Sequence, residues 1–215
     1  MKTTPQLSVA VCIATIPPRQ ALLDRALVSV RTQTRPPDET VVQVDRDGEG
    51  AGPTRNKAWR RAKSDYIAIL DDDDEFMPEH LRVLMRAAKN ERADVVYSWF
   101  EHVGWPEWTP QRPDPLAVRD HGRLVHPLGV RFGPEQAEHM RTYAFIPATI
   151  LVRRSSLEAV GGYPGPGDED YERYDRCEDW ALLIRLLDIR AKFIHVPMRT
   201  WRLHHGNGTA GLPWK

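Results

Sequence analysis

At 215 residues the chain has room for one domain on a single core, or for such a domain with a modest appendage. Thirty Lys and Arg balance thirty Asp and Glu, so no global field selects nucleic acid or an anionic membrane, and any nucleic-acid contact has to be local. No apolar run approaches the roughly 20 residues of a membrane span, and the two cysteines, Cys12 and Cys177, match no zinc-ligand spacing.

The opening "LSVAVCIA" (7–14) is short, apolar and rich in strand formers, and it reads as a strand rather than a signal core. With cysteines that suit a reduced compartment, this leads to the expectation of a soluble, cytoplasmic protein. Pro17-Pro18 end that strand. "RQALLDRALVSVRTQ" (19–33) then sets Leu22, Leu23, Ala26, Leu27 and Val30 on one helical face. "TVVQVD" (40–45) predicts a second strand, and "PTRNKAWRRAKS" (53–64) a helix capped by Thr54 and basic at its end. "YIAIL" (66–70) predicts a third strand, "PEHLRVLMRAAKN" (78–90) a helix with proline at its first position, and "DVVYSWF" (94–100) a fourth strand.

Residues 101–147 are rich in proline and aromatics, with a strand expected near 123–130 and a short helix near 134–141. "ATILVRRSSLEAVGGYP" predicts a strand and a short helix stopped by Gly161-Gly162. "EDWALLIRLLDIRA" (178–191) is an amphipathic helix and "KFIHVP" (192–197) a final strand, followed by a glycine-punctuated tail. Strand–helix alternation at this spacing predicts an α/β fold with a mostly parallel sheet covered by helices, whose ligands bind at the carboxyl ends of the strands.

Two features fall at such ends. Asp45 closes the second strand, and Asp71-Asp72-Asp73-Asp74-Glu75 follows the third. An acidic run of this kind is often a solvated turn, or complements the dipole of the next helix, here through Asp74 and Glu75. Behind an apolar, central strand, however, adjacent carboxylates repel one another and lose solvation unless a cation compensates them. Extended alternation would point Asp71 and Asp73 the same way, and two such carboxylates suit a hard divalent ion, magnesium or manganese. "DRDGEGAGPTRN" after Asp45 is a glycine-rich loop entering a helix, where backbone amides can hold phosphate, although it carries no G-x-G-x-x-G or phosphate-loop lysine. Asp45 can equally be a turn former. Trp99, Trp105 and Trp108 are either packing residues or flat faces for a sugar or aglycone.

Taken together, "VAVCIATIPPRQALLDRALVSVRTQTRPPDETVVQVD", "PTRNKAWRRAKSDYIAILDDDDEFMPEHL", "ATILVRRSSLEAVGGY", "CEDWALLIRLL" and "WRLHHGNGT" resemble the family-2 glycosyltransferases of the GT-A fold. These are inverting enzymes that use nucleotide-diphosphate sugars. The resemblance implies a single GT-A domain over 1–215. Residues 1–100 would form the nucleotide-sugar half, and 101–215 the acceptor half with a C-terminal metal-site tail.

By position, it implies that Asp45, with Arg55 or Asn56 nearby, contacts the nucleotide. Asp71 to Asp73 would form the D-x-D motif, with Asp73 the direct metal ligand, Asp71 beside it and Asp72 facing the ribose. Glu178-Asp179 would be the second acidic motif, Asp179 acting as general base, and His204 would complete the metal site with His205 its competitor. The cofactor implied is Mn2+ or Mg2+ and the donor a nucleotide-diphosphate sugar, a UDP-sugar first. The acceptor (glycan, lipid, protein or modified nucleobase) is open. The chain departs from the family at "ATIPPRQ" and at "RDGEGAG", which bear on the nucleotide base. A nucleotidyltransferase and a non-catalytic carbohydrate-binding protein of the same fold are the alternatives.

Overall fold

The computed structural model describes residues 7–104 and 132–206, and the backbone of 117–120 and 123–127. Strand β1 (Val9–Thr15) runs through a 3-10 turn (Pro17–Arg19) into α1 (Gln20–Arg31). Next come β2 (Glu39–Val44), α2 (Ala51–Arg61), β3 (Tyr66–Asp71), the short β4 (Glu75–Phe76), α3 (His80–Glu91) and β5 (Val95–Val103). A hairpin-like pair, β6 (Ala117–Asp120) and β7 (Arg123–Pro127), precedes α4 (Pro134–Met140), β8 (Ile150–Arg153), α5 (Arg154–Ala159), α6 (Glu169–Arg173), α7 (Glu178–Asp188) and β9 (Phe193–His204).

One seven-stranded sheet, ordered β2-β1-β3-β8-β5-β9-β4, organises these elements. β1 is parallel to β2 and β3, β8 runs against both β3 and β5, β9 is parallel to β5, and β4 opposes β9. Five strands therefore point one way and β8 and β4 the other, so the sheet is mostly parallel, as expected.

The apolar strands are covered on both faces, which is why they read as unbroken runs. On one face Val9, Val11 and Ile13 of β1 meet Leu23, Ala26 and Val30 of α1, together with Leu81 and Leu84 of α3. On the other, Ala10 and Cys12 face Ala58 and Trp59 of α2 and Leu182, Leu183 and Leu186 of α7. No described helix is long and apolar enough to cross a membrane.

The structure corrects several expected boundaries. Helix α2 starts at Ala51 behind Gly50, whose φ of 95° suits glycine, and the Thr54 hydroxyl donates back to the Gly50 carbonyl at 2.7 Å rather than capping. Helix α3 begins at His80, two residues after Pro78, and neither Asp74 nor Glu75 belongs to it. Strand β9 runs past Pro197 to His204. Pairing with β5 slips there, between Ser98 and Phe100, so the missing proline N–H falls in a bulge and costs no ladder bond.

Candidate active site

Because β2, β1 and β3 are adjacent and parallel, their carboxyl ends lie along one edge of the sheet. Thr15 ends β1, Asp45 follows β2 with its N–H bonded to the Thr15 carbonyl at 2.8 Å, and Asp71 ends β3. Above this edge opens a cavity of about 370 Å³, lined by Thr15, Arg19, Asp45, Gly50, Thr54, Arg55 and Asp71 to Asp73. It sits where the ligand crevice of a parallel sheet belongs.

The acidic run is a tight turn, closed by the Asp74 N–H on the Asp71 carbonyl at 3.1 Å. The turn, not extended alternation, therefore sets where each carboxylate points. Asp72 is buried, accepting from the Thr15 hydroxyl at 2.6 Å and lying 3.2 Å from Arg19 Nη2. Asp73 is 2.5 Å from the same Arg19 nitrogen, and its carbonyl accepts from Arg25 Nη2 at 2.5 Å. Asp74 is buried and accepts the His204 backbone N–H at 3.0 Å.

Burial raises all three. It pushes Asp72 up to about 6 against the Thr15 hydrogen bond and Arg19. It raises Asp73, with Asp71 adding to the effect. For Asp74, burial followed by the Asp71 charge pushes the carboxyl up to about 8. Such a set is short of positive charge.

Oxygens of Asp71, Asp73 and Asp74 all lie within 4.8 Å of one another. An all-carboxylate donor set of this compactness, in which burial raises Asp73 and Asp74, fits a hard divalent cation such as Mg2+ or Mn2+. Asp74 thus joins the two aspartates expected from sequence. The His204 ring instead pairs with Glu75, Nε2 to Oε2, at 2.6 Å, and meets the acidic turn through its backbone. His205 lies against His102, ring centroids 4.7 Å apart.

Arg55 joins the turn to the second acidic motif. Buried on α2, it holds Asp71 Oδ1 at 2.5 Å, Glu178 Oε1 at 2.7 Å and Asp179 Oδ1 at 3.3 Å, with its guanidinium 5.5 Å from the centre of the Tyr163 ring. Burial opposes its charge, but Asp179 and Asp71 outweigh it and keep the group firmly cationic. Asp179, at the start of α7, is pushed up to about 7 by burial, with Arg55 pulling down and Glu178 and Asp71 pushing up. Its Oδ1 makes no hydrogen bond among the described residues, so the carboxylate is the less committed of the pair.

Asp45 and Asn56 are bound up in the scaffold. Both Asp45 oxygens accept from its own loop, Oδ1 from the N–H groups of Asp47, Gly48 and Glu49 and Oδ2 from Gly50. Burial raises its pKa, but these four amides together bring it below the ordinary value. The carboxylate therefore shapes the glycine loop that walls the cavity. Asn56 donates to the Tyr163 carbonyl at 2.7 Å and accepts from Tyr163 N–H and Trp59 Nε1.

Gly162 makes that bracket possible. At φ +85° a Cβ would stand 2.2 Å from Asn56 Oδ1 and 3.0 Å from the Trp59 ring. Gly162→Ala should therefore cost on the order of 3 kcal/mol and lower Tm by several degrees in a thermal melt. A melt unchanged within 1 °C or so would show that the bracket yields freely.

Trp99 is 3% exposed and stacks on Phe100 with centroids 5.3 Å apart, which makes it a core residue rather than a free face for an acceptor. Trp105 and Trp108 lie outside the described residues. Four residues of the site carry no motif that marks them in the sequence: Arg19, Thr15, Arg25 and Tyr163. For the first two a signal does exist, since the rule that places Asp45 and Asp71 applies equally to the end of β1.

Residues 44–161, more than half of the chain, match glycosyl transferase family 2. The chain belongs to that family. Among named relatives, an uncharacterised glycosyltransferase of Methanocaldococcus jannaschii is 43% identical over 51 residues, 23% of this chain and 18% of that protein. This family 2 chain is also similar in fold to S. aureus TarS solved with UDP-GlcNAc. The TM-score is 0.66 at 15% identity, over 94% of this chain and 60% of that one. TarS solved with UDP gives 0.60 at 16% identity, over 92% and 60%. The match identifies the curled, helix-flanked sheet as the GT-A fold. The chain thus spans 60% of those TarS chains and 18% of the archaeal relative.

Proposed function

We infer that this protein transfers a sugar from a nucleotide-diphosphate sugar to an acceptor hydroxyl, with a divalent cation and with inversion at the anomeric carbon. One observation carries the reading. The cavity at the ends of β1, β2 and β3 brings a compact aspartate set to within one arginine of a second, loosely held carboxylate. A donor site and a base for the acceptor need that separation of roles. The similarity to a fold neighbour solved with UDP and with UDP-GlcNAc supports a UDP-sugar as the first donor to test.

Asp71, Asp73 and Asp74 would hold the cation, which when bound neutralises charge on the departing diphosphate. Asp72 and the Asp45-shaped loop bound the nucleotide end of the cavity. Asp179 takes the proton of the acceptor hydroxyl as that oxygen attacks the face opposite the leaving group. Arg55 positions Asp179 against Asp71. We further assign the donor side to residues 1–100 and the acceptor side to 101–215 of one working unit.

The test is a thermal-shift panel of UDP, GDP, dTDP and CDP with Mn2+ or Mg2+. A true ligand at about 100 times its Kd stabilises by roughly 2.7 kcal/mol. Asp73→Asn should lose the metal-dependent part of that shift, and chelation by EDTA should abolish both the shift and turnover. Turnover should release nucleoside diphosphate; release of pyrophosphate, or full activity in EDTA, would refute the reading.

A further inference from the structure

Arg19 is buried in the cavity without being fully used. It ends the 3-10 turn that leaves β1, and its side chain is 10% exposed. Nη2 bridges Asp72 at 3.2 Å and Asp73 at 2.5 Å. Nε is also buried and has no hydrogen-bond partner among the described residues. Leaving a charged donor so placed is expensive unless something is meant to meet it.

Its neighbours narrow the choice. The other arginine lining the cavity, Arg55, is committed to Asp71, Glu178 and Asp179. Arg25 donates to the Asp73 carbonyl. The cavity is also lined by Gly50 and Ala51 at the start of the eleven-residue α2, whose N-terminal dipole favours an anion. Arg19 therefore shares with that helix end an opening where a phosphate oxygen would be welcome, while one of its present partners, Asp73, is a carboxylate that a cation would claim.

We propose that Arg19 is an exchangeable counter-ion. It neutralises Asp72 and Asp73 while the cavity is empty of donor, and passes to the donor's diphosphate once a divalent cation takes Asp73. This rests on the donor reading above. The guanidinium fork, which matches a phosphate bidentately, suits the second role, and its charge alone suits the first. In the exchange Asp73 passes from Arg19 to the cation, while Asp72 keeps the Thr15 hydroxyl as its partner. Two consequences follow: Arg19 competes with the cation in the absence of nucleotide, and it cooperates with the cation in its presence.

The experiment measures Mn2+ binding without nucleotide, by the free-ion spin-resonance signal. It then measures UDP (or whichever panel nucleotide the parent protein binds) and its matching nucleoside at saturating Mn2+, by calorimetry. Arg19→Gln should bind Mn2+ alone about 10-fold more tightly and the nucleoside diphosphate roughly 10–100-fold more weakly, with nucleoside affinity unchanged. Arg19→Lys keeps the charge and the fold, so Mn2+ affinity should stay near the parent value while diphosphate affinity falls by a smaller factor. Unchanged values for both ligands in both variants would overturn the proposal. So would tighter Mn2+ with undiminished diphosphate binding, which would make Arg19 a structural counter-ion only. A parent protein that binds none of the panel nucleotides with either metal would refute the donor reading itself, and this inference with it.

Discussion

Asp179→Asn is expected to abolish sugar transfer, lowering the rate by about 10²–10⁴-fold, while leaving metal-dependent nucleotide binding close to that of the parent. The substitution keeps shape and removes the proton-accepting charge. Because Asp179 lies on α7, beyond Arg55 from the aspartate turn, the donor pocket should survive it. Burial pushes the Asp179 carboxyl up to about 7, and Glu178 and Asp71 push the same way against Arg55. A base must be ionised to act, so the rate should fall about tenfold per pH unit below 7 and level off above it. Initial rates across pH 5.5–9 check the profile. Wild-type transfer by Asp179→Asn would move the base elsewhere, with Glu178 the first place to look.

Arg55→Gln is expected to be the most destabilising single change near the site. Arg55 is the shared partner of three carboxylates and its side chain is 7% exposed. Its removal leaves Asp71, Glu178 and Asp179, all partly buried, without the cation they share. Breaking a buried ion pair from one side costs roughly 3–5 kcal/mol, or on the order of 10 °C in Tm for a chain of this size.

The pH dependence has a definite sign. Without the guanidinium, which lowers it, burial and the neighbouring Glu178 and Asp71 charges hold the folded-state pKa of Asp179 still further above its unfolded value. Stability is then regained as pH falls and lost as it rises through that folded-state value. The gap from the parent protein should accordingly narrow in melts at pH 5 and widen at pH 8. Arg55→Lys should recover only part of the loss, because a point charge cannot serve three acceptors as a fork does. Any surviving activity should show its pH profile displaced upward, since Arg55 is what lowers Asp179. An Arg55→Gln protein melting within 2 °C of the parent would refute this account of the hub.

Most of the framework is legible in the order of the residues alone. The apolar runs at 7–14, 66–70 and 94–100 appear as β1, β3 and β5, and the amphipathic patterns as α1, α3 and α7, because burial on two faces or on one leaves a periodicity within a few residues. Where pattern and fold part, packing overrules local chemistry. Thr54 has the residue type of a cap, yet Gly50 holds that place. Pro197 looks like a strand end, yet the bulge against β5 carries the strand through it to His204. Asp74 looks like a partner for the next helix, yet the turn buries it with Asp71 and Asp73.

The sequence by itself determined the alternation of strands and helices, the strand ends at which acidic residues gather, and the motif order that resembles family 2. All of these are carried by residues close together in the chain. Only the tertiary structure decided how the charges are divided. Arg55 meets Glu178 across 123 positions, Thr15 meets Asp72 across 57 and the His204 backbone meets Asp74 across 130. No periodicity encodes such pairings. They depend on three parallel strands ending at one edge and on the low dielectric there, which makes each buried carboxylate seek whichever cation the fold has brought nearest. Arg19 shows the difference most plainly: in sequence it is one arginine after two prolines, and in the fold it lines the cavity with Asp72 and Asp73 and bridges the two.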